Sequence, residues 1–373
     1  MTKQIITTFL SKFGGAFISF LIVTLTARYL GASGRGEISL ILLAISINSL
    51  TTSLIGSGSM VYLIPRFPLS GLLLPAYIWA SVGSILTTAL LNSFGLIPPG
   101  YYLDILVLSI LLSIFSVNTS ALQGQEKINS FNLLNFLQIA ILLLVLLVYF
   151  FVLKEQQLAS YIHALYYSYG FALLFSFMVL RKELMLQLKQ PYWTIIVKYL
   201  YHGGFVLLAN LAQLLNYRFS FYLIQFSSGI AQLGVYSIAV TLSESIWLIT
   251  KSISAVQYAR IANTNNEEEA IKTTINYIRI SFWITTLALI VLCLLPEQVF
   301  SWLFGKDFSN IKIVLLCLAP GILSLSASNI VSHYFSGIGK HFISAAGSGI
   351  GLAFTLLFCW LLIPIYGIVG AAI

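Results

Sequence analysis

Four ionisable side chains stand in stretches that are otherwise apolar: Lys12, Arg218, Glu244 and Lys251. Glu244 and Lys251 share the run 235–254. There Ser237, Thr241, Glu244, Leu248 and Lys251 recur at the helical period and fall on one face. A carboxylate withdrawn from water favours a proton or a bound cation, so Glu244 is a candidate ion-coupling residue. Its alternative is a structural ion pair with Lys251, two turns away; across ~10.5 Å of helix rise, that pair would need both side chains to bend. Lysine and arginine in the same setting are candidate anion contacts, and the planar fork of Arg218 suits two oxygens of a phosphate. Asn210, Gln213 and Tyr217 share a face near Arg218, and Lys12 lies on a stripe with Thr8, Ser11, Gly15, Ser19 and Thr26. For each cation the competing reading is a long side chain snorkelling to the headgroups. Arg28, on the opposite face from Lys12, reads as such an anchor.

The elements that must position these residues follow from composition. The 373 residues are 59% hydrophobic and only 8% charged, with a mean hydropathy of +0.95, whereas a soluble domain carries about 25% charged residues. This implies an all-α polytopic membrane protein; the long apolar runs lack the alternation of a membrane β-barrel. An ionised group at the bilayer centre costs about 2.5–3.5 kcal/mol on insertion scales, so the four charges are expected to face a wet cavity or a partner. The net charge of +8 is topogenic rather than a sign of nucleic-acid binding. Cys293, Cys317 and Cys359 lie in apolar runs without metal or redox spacing. No metal, nucleotide or nucleophile motif is present, and no cofactor is expected; Gly337-Ile338-Gly339-Lys340-His341 is too short for a phosphate-binding loop.

Eleven full spans are expected, near 5–29, 38–63, 72–94, 103–122, 131–152, 158–180, 200–224, 235–254, 274–295, 311–336 and 342–363. Pro364 is expected to break the chain, with 367–373 opening a twelfth span, which leaves the second half truncated in that helix. An N-terminal six-helix bundle (1–182), a cytoplasmic interfacial linker (183–197) and a C-terminal bundle (198–373) follow. Most Lys and Arg then fall on the N-terminal side of the membrane, which places the N-terminus in the cytoplasm. Asn132, Asn135 and Gln138 read as interhelical glue. His163, His202, His333 and His341 read as packed or interfacial, and Tyr166, Tyr167 and Tyr169 as an interfacial belt or a sugar platform.

An internal repeat ties the halves together. Gly31, Gly36 and Ser39 recur as Gly229, Gly234 and Ser237, each 198 positions later, and the same shift sets Ser46 against Glu244 and Ser53 against Lys251. Gly124 and Lys127 recur as Gly337 and Lys340 at a shift of 213. Six helices per half insert in the same sense, so the expectation is two parallel bundles with a substrate site between them. Ser19, Ser46, Ser53, Ser237 and Thr241 would line that lumen.

Several stretches resemble the polysaccharide-biosynthesis flippases, the O-antigen and capsule translocases of the multidrug/oligosaccharidyl-lipid/polysaccharide exporter superfamily, which includes lipid II flippases and multidrug-and-toxin extruders. They are Ala27-Arg28-Tyr29-Leu30-Gly31 with Gly36, Leu233-Gly234-Val235-Tyr236-Ser237, Leu303-Phe304-Gly305-Lys306-Asp307-Phe308, Ala319-Pro320-Gly321-Ile322 and Ser336-Gly337-Ile338-Gly339-Lys340. The resemblance implies two six-helix bundles around a cationic cavity that opens alternately to each side of a bacterial inner membrane. It implies a non-enzymatic carrier of undecaprenyl-diphosphate-linked oligosaccharide, working in membrane lipid and beside a polysaccharide polymerase. Lys12, Arg218 and Lys251, with Asn210 and Gln213, are the residues here that could hold that substrate. Two other readings stay open: a cation-coupled multidrug exporter on the same scaffold, and a membrane glycosyltransferase or ligase, for which the external loops are short.

Overall fold

The computed structural model describes residues 2–181, 192–262, 267–338 and 340–373. These residues form α1 (Thr2–Thr51), α2 (Ser57–Leu63), α3 (Leu69–Ser93), α4 (Tyr102–Gly124), α5 (Ile128–Leu147), α6 (Leu158–Leu180), α7 (Tyr192–Ser228), α8 (Ile230–Ala262), α9 (Glu267–Leu294), α10 (Glu297–Phe304), α11 (Ile311–Gly337), α12 (His341–Tyr366) and α13 (Ile368–Ala372). A π-helical turn, Val148–Val152, extends α5. In lipid every backbone N–H and C=O must be satisfied within the segment, and the helix achieves this. Among the described residues nine helical segments are long and apolar enough to cross a membrane. The helix with Glu244 and Lys251 is not one of them; its charges and its ladder of serines and threonines dilute its apolar character.

The chain divides into two compact units. One comprises Met1–Leu30 and Glu37–Leu214, the other Gly31–Gly36 and Leu215–Ile373. The first is built on two apolar clusters. One gathers Ile41, Ile45, Ile105, Leu108 and Leu165, and the other Met60, Leu72, Leu122, Leu134 and Tyr199. A polar seam runs through it: Tyr77 donates to Asn118 Oδ1 at 2.5 Å, and Asn118 Nδ2 to Ser176 Oγ at 2.8 Å. In the second unit α8 packs against α9 and α11. Its seam is made of hydroxyls alone: Thr250, Ser281, Thr285 and Ser326, all buried, with Ser281 and Ser326 oxygens 2.7 Å apart.

Several boundaries differ from expectation, each for a local reason. The two spans expected near 5–29 and 38–63 are joined in α1, whose one non-helical residue is Gly31 (φ 68°). The second of them is then interrupted between Thr51 and Ser57. Thr51 and Ser53 hydroxyls donate back to the carbonyls of Asn48 and Leu50, both at 2.6 Å, and such bonds compete with the helical ladder. Gly56, at φ 146°, completes the break. Pro364 lies inside α12, and the chain turns instead at Gly367, at φ 59°. Between α9 and α11, α10 buries Phe300 and Phe304 and exposes Trp302. Asn135 donates back to Phe131 of its own helix at 2.8 Å. The interhelical bonds at this place use the carbonyls of Asn132 and Gln138 as acceptors for Ser11 and Ser168.

Of the interfacial linker expected over 183–197, residues 183–191 lie outside the described residues, while Tyr192 onward is helical. Within the acidic run, 263–266 also lie outside them, and Glu267, Glu268 and Glu269 form the first turn of α9, where negative charge offsets the helix dipole.

The repeat has a geometric counterpart inside the second unit. Gly31 and Gly229 share positive φ, 68° and 88°, and each precedes a new helical stretch. Five residues after each, a glycine lies against the other stretch. A Cβ on Gly36 would strike the carbonyl oxygen of Ile230, and one on Gly234 would strike that of Ala32. The two contacts exchange when the copies are exchanged. The other anchor behaves alike. Lys127 N–H bonds to Leu122 O at 2.9 Å and Lys340 N–H to Phe335 O at 2.8 Å, with the two lysines at φ/ψ of −79°/54° and −89°/52°.

Candidate ion-pair site in the second unit

Helices α7 and α8 bring together two of the residues singled out from the sequence. Arg218 Nη2 lies 2.7 Å from Glu244 Oε1, with the side chains 27% and 36% exposed. The guanidinium stands 5.0 Å from the centre of the Phe221 ring. Its other terminal nitrogen, Nη1, is buried and finds no hydrogen-bond partner among the described residues. Both residues are placed by helical register. Arg218 is three residues before Phe221, whose ring packs edge-on against Tyr236 at 5.8 Å. Tyr236 is fixed in turn by donating to Ala371 O at 3.0 Å.

Glu244 lines a cavity of about 540 Å³ enclosed by α7, α8, α11, α12 and α13. Its walls are aromatic and aliphatic, with Tyr217, Trp247, Phe354 and Phe358 prominent, and Glu244 is the only acidic residue among them. Polar groups along one side are spoken for: Asn216 Nδ2 donates to Ser348 O at 3.2 Å, and Thr355 Oγ1 to Asn216 Oδ1 at 3.3 Å. Such a cavity suits an amphipathic guest with a large apolar body and one charged group, which Glu244 could meet from the wall and Arg218 from behind it through their ion pair.

Lys251 does not reach Glu244. It is exposed, and its ammonium sits 3.7 Å from the centre of the Trp247 ring, one turn back on α8. Trp247 packs edge-on against Tyr217 at 5.1 Å. Ser237 is buried and bonds its own helix at Gly234 O, 2.8 Å, and Thr241 bonds Ser237 O at the same distance. In the first unit Lys12 and Gln213 are exposed, Asn210 and Ser19 half-buried. Ser46 is exposed and bonds Leu42 O at 2.7 Å, while Ser53 is buried. Nothing in the residue pattern points to the share of α12 in the cavity. Phe354 and Phe358, one turn apart and stacked at 6.0 Å, look in sequence like any lipid-facing pair. Among the described residues no group of His, Cys, Asp and Glu could hold a metal ion.

No protein-family model matches the chain. A stretch of 144 residues is 29% identical to the capsular polysaccharide biosynthesis protein CapF of Staphylococcus aureus, covering 38% of this chain and 36% of that protein's length. Among solved structures, an inward-facing multidrug-resistance MATE family transporter of the MOP superfamily matches 95% of this chain and 89% of its own, with a TM-score of 0.77 at 15% identity. The lipid II flippase MurJ matches all of this chain and 84% of its own, with a TM-score of 0.75 at 13% identity. The Vibrio cholerae MATE transporter VcmN matches all of it too, with a TM-score of 0.61 at 14% identity. With its apolar helices and these likenesses, the chain is a multi-pass, all-helical membrane protein whose fold is like that of the MATE transporters and of MurJ.

Proposed function

We propose that this protein is a flippase that carries an undecaprenyl-diphosphate-linked oligosaccharide, the repeat unit of an O-antigen, capsule or exopolysaccharide, across a bacterial inner membrane by alternating access. The observation that carries the reading is Arg218: a guanidinium with one donor unpartnered among the described residues, paired to the glutamate that lines a mainly apolar and aromatic cavity, suits a diphosphate joined to a prenyl chain. Two likenesses support it, the partial one to a capsular polysaccharide biosynthesis protein and the fold-level one to a lipid II flippase. In this reading Lys12 and Lys251 are further contacts for the diphosphate, Asn210 and Gln213 meet its sugars, and Ser19, Ser46, Ser53, Ser237 and Thr241 belong to the polar lining. Glu244 couples the cycle to an ion. The molecule works as two parallel six-helix bundles with a cytoplasmic N-terminus.

The test is export. Lys12→Ala, Arg218→Ala and Lys251→Ala are each expected to lower the surface glycan of a producing strain at least several-fold while the folded protein remains in the membrane. Normal export by all three variants would end this reading. One observation favours a second function: Glu244 beside Trp247 and Tyr217 has the chemistry to hold an amphipathic cation. A cation-coupled multidrug exporter would lower susceptibility to lipophilic cations and leave glycan export unchanged.

A further inference from the structure

The guanidinium of Arg218 is half engaged. One terminal nitrogen is held by Glu244 at 2.7 Å, and the other is buried without a partner among the described residues. A planar fork satisfied at a single tine is poised for an acceptor that presents two oxygens side by side. Among the described residues, the titratable side chains that line the cavity with Glu244 are Tyr217 on α7, Tyr236 on α8 and Cys359 on α12, while Lys251, farther along α8, is stacked on Trp247. Where α11 lines the cavity it presents Leu318, Gly321, Ile322 and Leu325, and α13 presents Gly370, Ala371 and Ala372.

We propose that Glu244 is a built-in occupant of an oxyanion site on Arg218, and that anion arrival and proton uptake there are a single exchange. The inference rests on the flippase reading and gives it a coupling step. Oxygens of the incoming diphosphate take Nη1 and Nη2, and the displaced carboxylate accepts one proton from water in the cavity. One O–H bond forms on Glu244 as one bond to hydrogen breaks in the donor, whose proton is made good from the bulk buffer through the cavity water, and the negative charge that the carboxylate gives up is replaced at Arg218 by that of the diphosphate. When the diphosphate leaves, Glu244 returns its proton to water and closes the pair again. The empty carrier therefore resets with Arg218 neutralised, avoiding the cost of an unpaired cation in an apolar chamber. By reciprocity, protonation of Glu244 strengthens anion binding by the same factor that anion binding favours protonation.

The test uses the full chain in lipid nanodiscs with farnesyl diphosphate as probe and farnesol as its uncharged control. It is run at pH 7.5 in weak buffer with a pH indicator, above the last ionisation of a phosphate group near roughly 6. Wild type is expected to take up about one proton per diphosphate bound. Glu244→Gln, which removes the competing charge, is expected to take up none and to bind about tenfold more tightly, within the usual range of such couplings. Arg218→Gln is expected to bind diphosphate no better than farnesol. Equal affinity of wild type and Glu244→Gln, or no proton uptake by wild type, overturns the exchange and leaves the flippase reading standing. If neither binds diphosphate better than farnesol, both fall. Should Glu244→Gln not fold, the wild-type proton count decides alone.

Discussion

Glu244 and Lys251 share a helix face, yet the carboxylate bonds across to α7 while the ammonium lies back along α8. Reach decides this. Two turns of helix separate Glu244 from Lys251, ~10.5 Å of rise, whereas Arg218 projects a long side chain from the neighbouring helix and Trp247 lies one turn from Lys251. Periodicity makes an intramembrane charge legible, because it needs only the residue's own helix. It cannot name the partner, because that depends on which helices meet. The hydroxyl seam was hidden for the same reason: Thr250, Ser281, Thr285 and Ser326 are ordinary small residues until three helices bring them within 2.7–3.3 Å. Ser326→Ala deletes the oxygen shared by the other three. Interhelical hydrogen bonds in membranes contribute about 0.6 kcal/mol on average and at most about 1.7. The variant is expected to lose about 1 kcal/mol of stability in detergent, read by thermal unfolding, with transport unchanged.

At the scale of elements, apolar run length located the helices well. The span expected at 158–180 coincides with α6, and those expected at 103–122 and 311–336 differ from α4 and α11 by at most two residues at either end. The breaks were harder to place. Pro364 looked like a stop, but a membrane helix absorbs proline where neighbouring groups re-satisfy the freed carbonyl. The interruption after Thr51 comes from side-chain hydroxyls, which hydropathy does not register. The glycine repeat was legible as spacing, and its physical meaning is steric. Gly36 and Gly234 lie where a Cβ would meet backbone, which cannot swing aside as a side chain can. Gly36→Ala and Gly234→Ala are each expected to cost about 1–3 kcal/mol or more and to reduce the folded fraction on size exclusion. Gly347→Ala is the control: nothing lies within 4 Å of the added carbon, and alanine is favoured over glycine in a helix by about 1 kcal/mol.

For the molecule as a whole, orientation and division are both open to experiment. With a cytoplasmic N-terminus, a cysteine at Lys127 should react with an impermeant thiol reagent only from the cytoplasmic side, and one at Glu155 only from outside, in a background with the three native cysteines replaced by serine; the reverse pattern inverts the topology. The two units are compact, but neither is a continuous piece of chain, since Gly31–Gly36 groups with Leu215–Ile373. Residues 215–373 expressed alone are therefore expected to aggregate, and co-expression with 1–214 to restore soluble, detergent-extractable protein. The same feature bears on how the protein is made. By the time the ribosome has released Gly36, the strip that will receive Ile230 has already entered the bilayer, and its counterpart has yet to be translated. That strip must stay uncovered until Ile230 is made, so the bend at Gly31 is kept ready for a segment that arrives late, and the second unit closes only after α8 has been inserted.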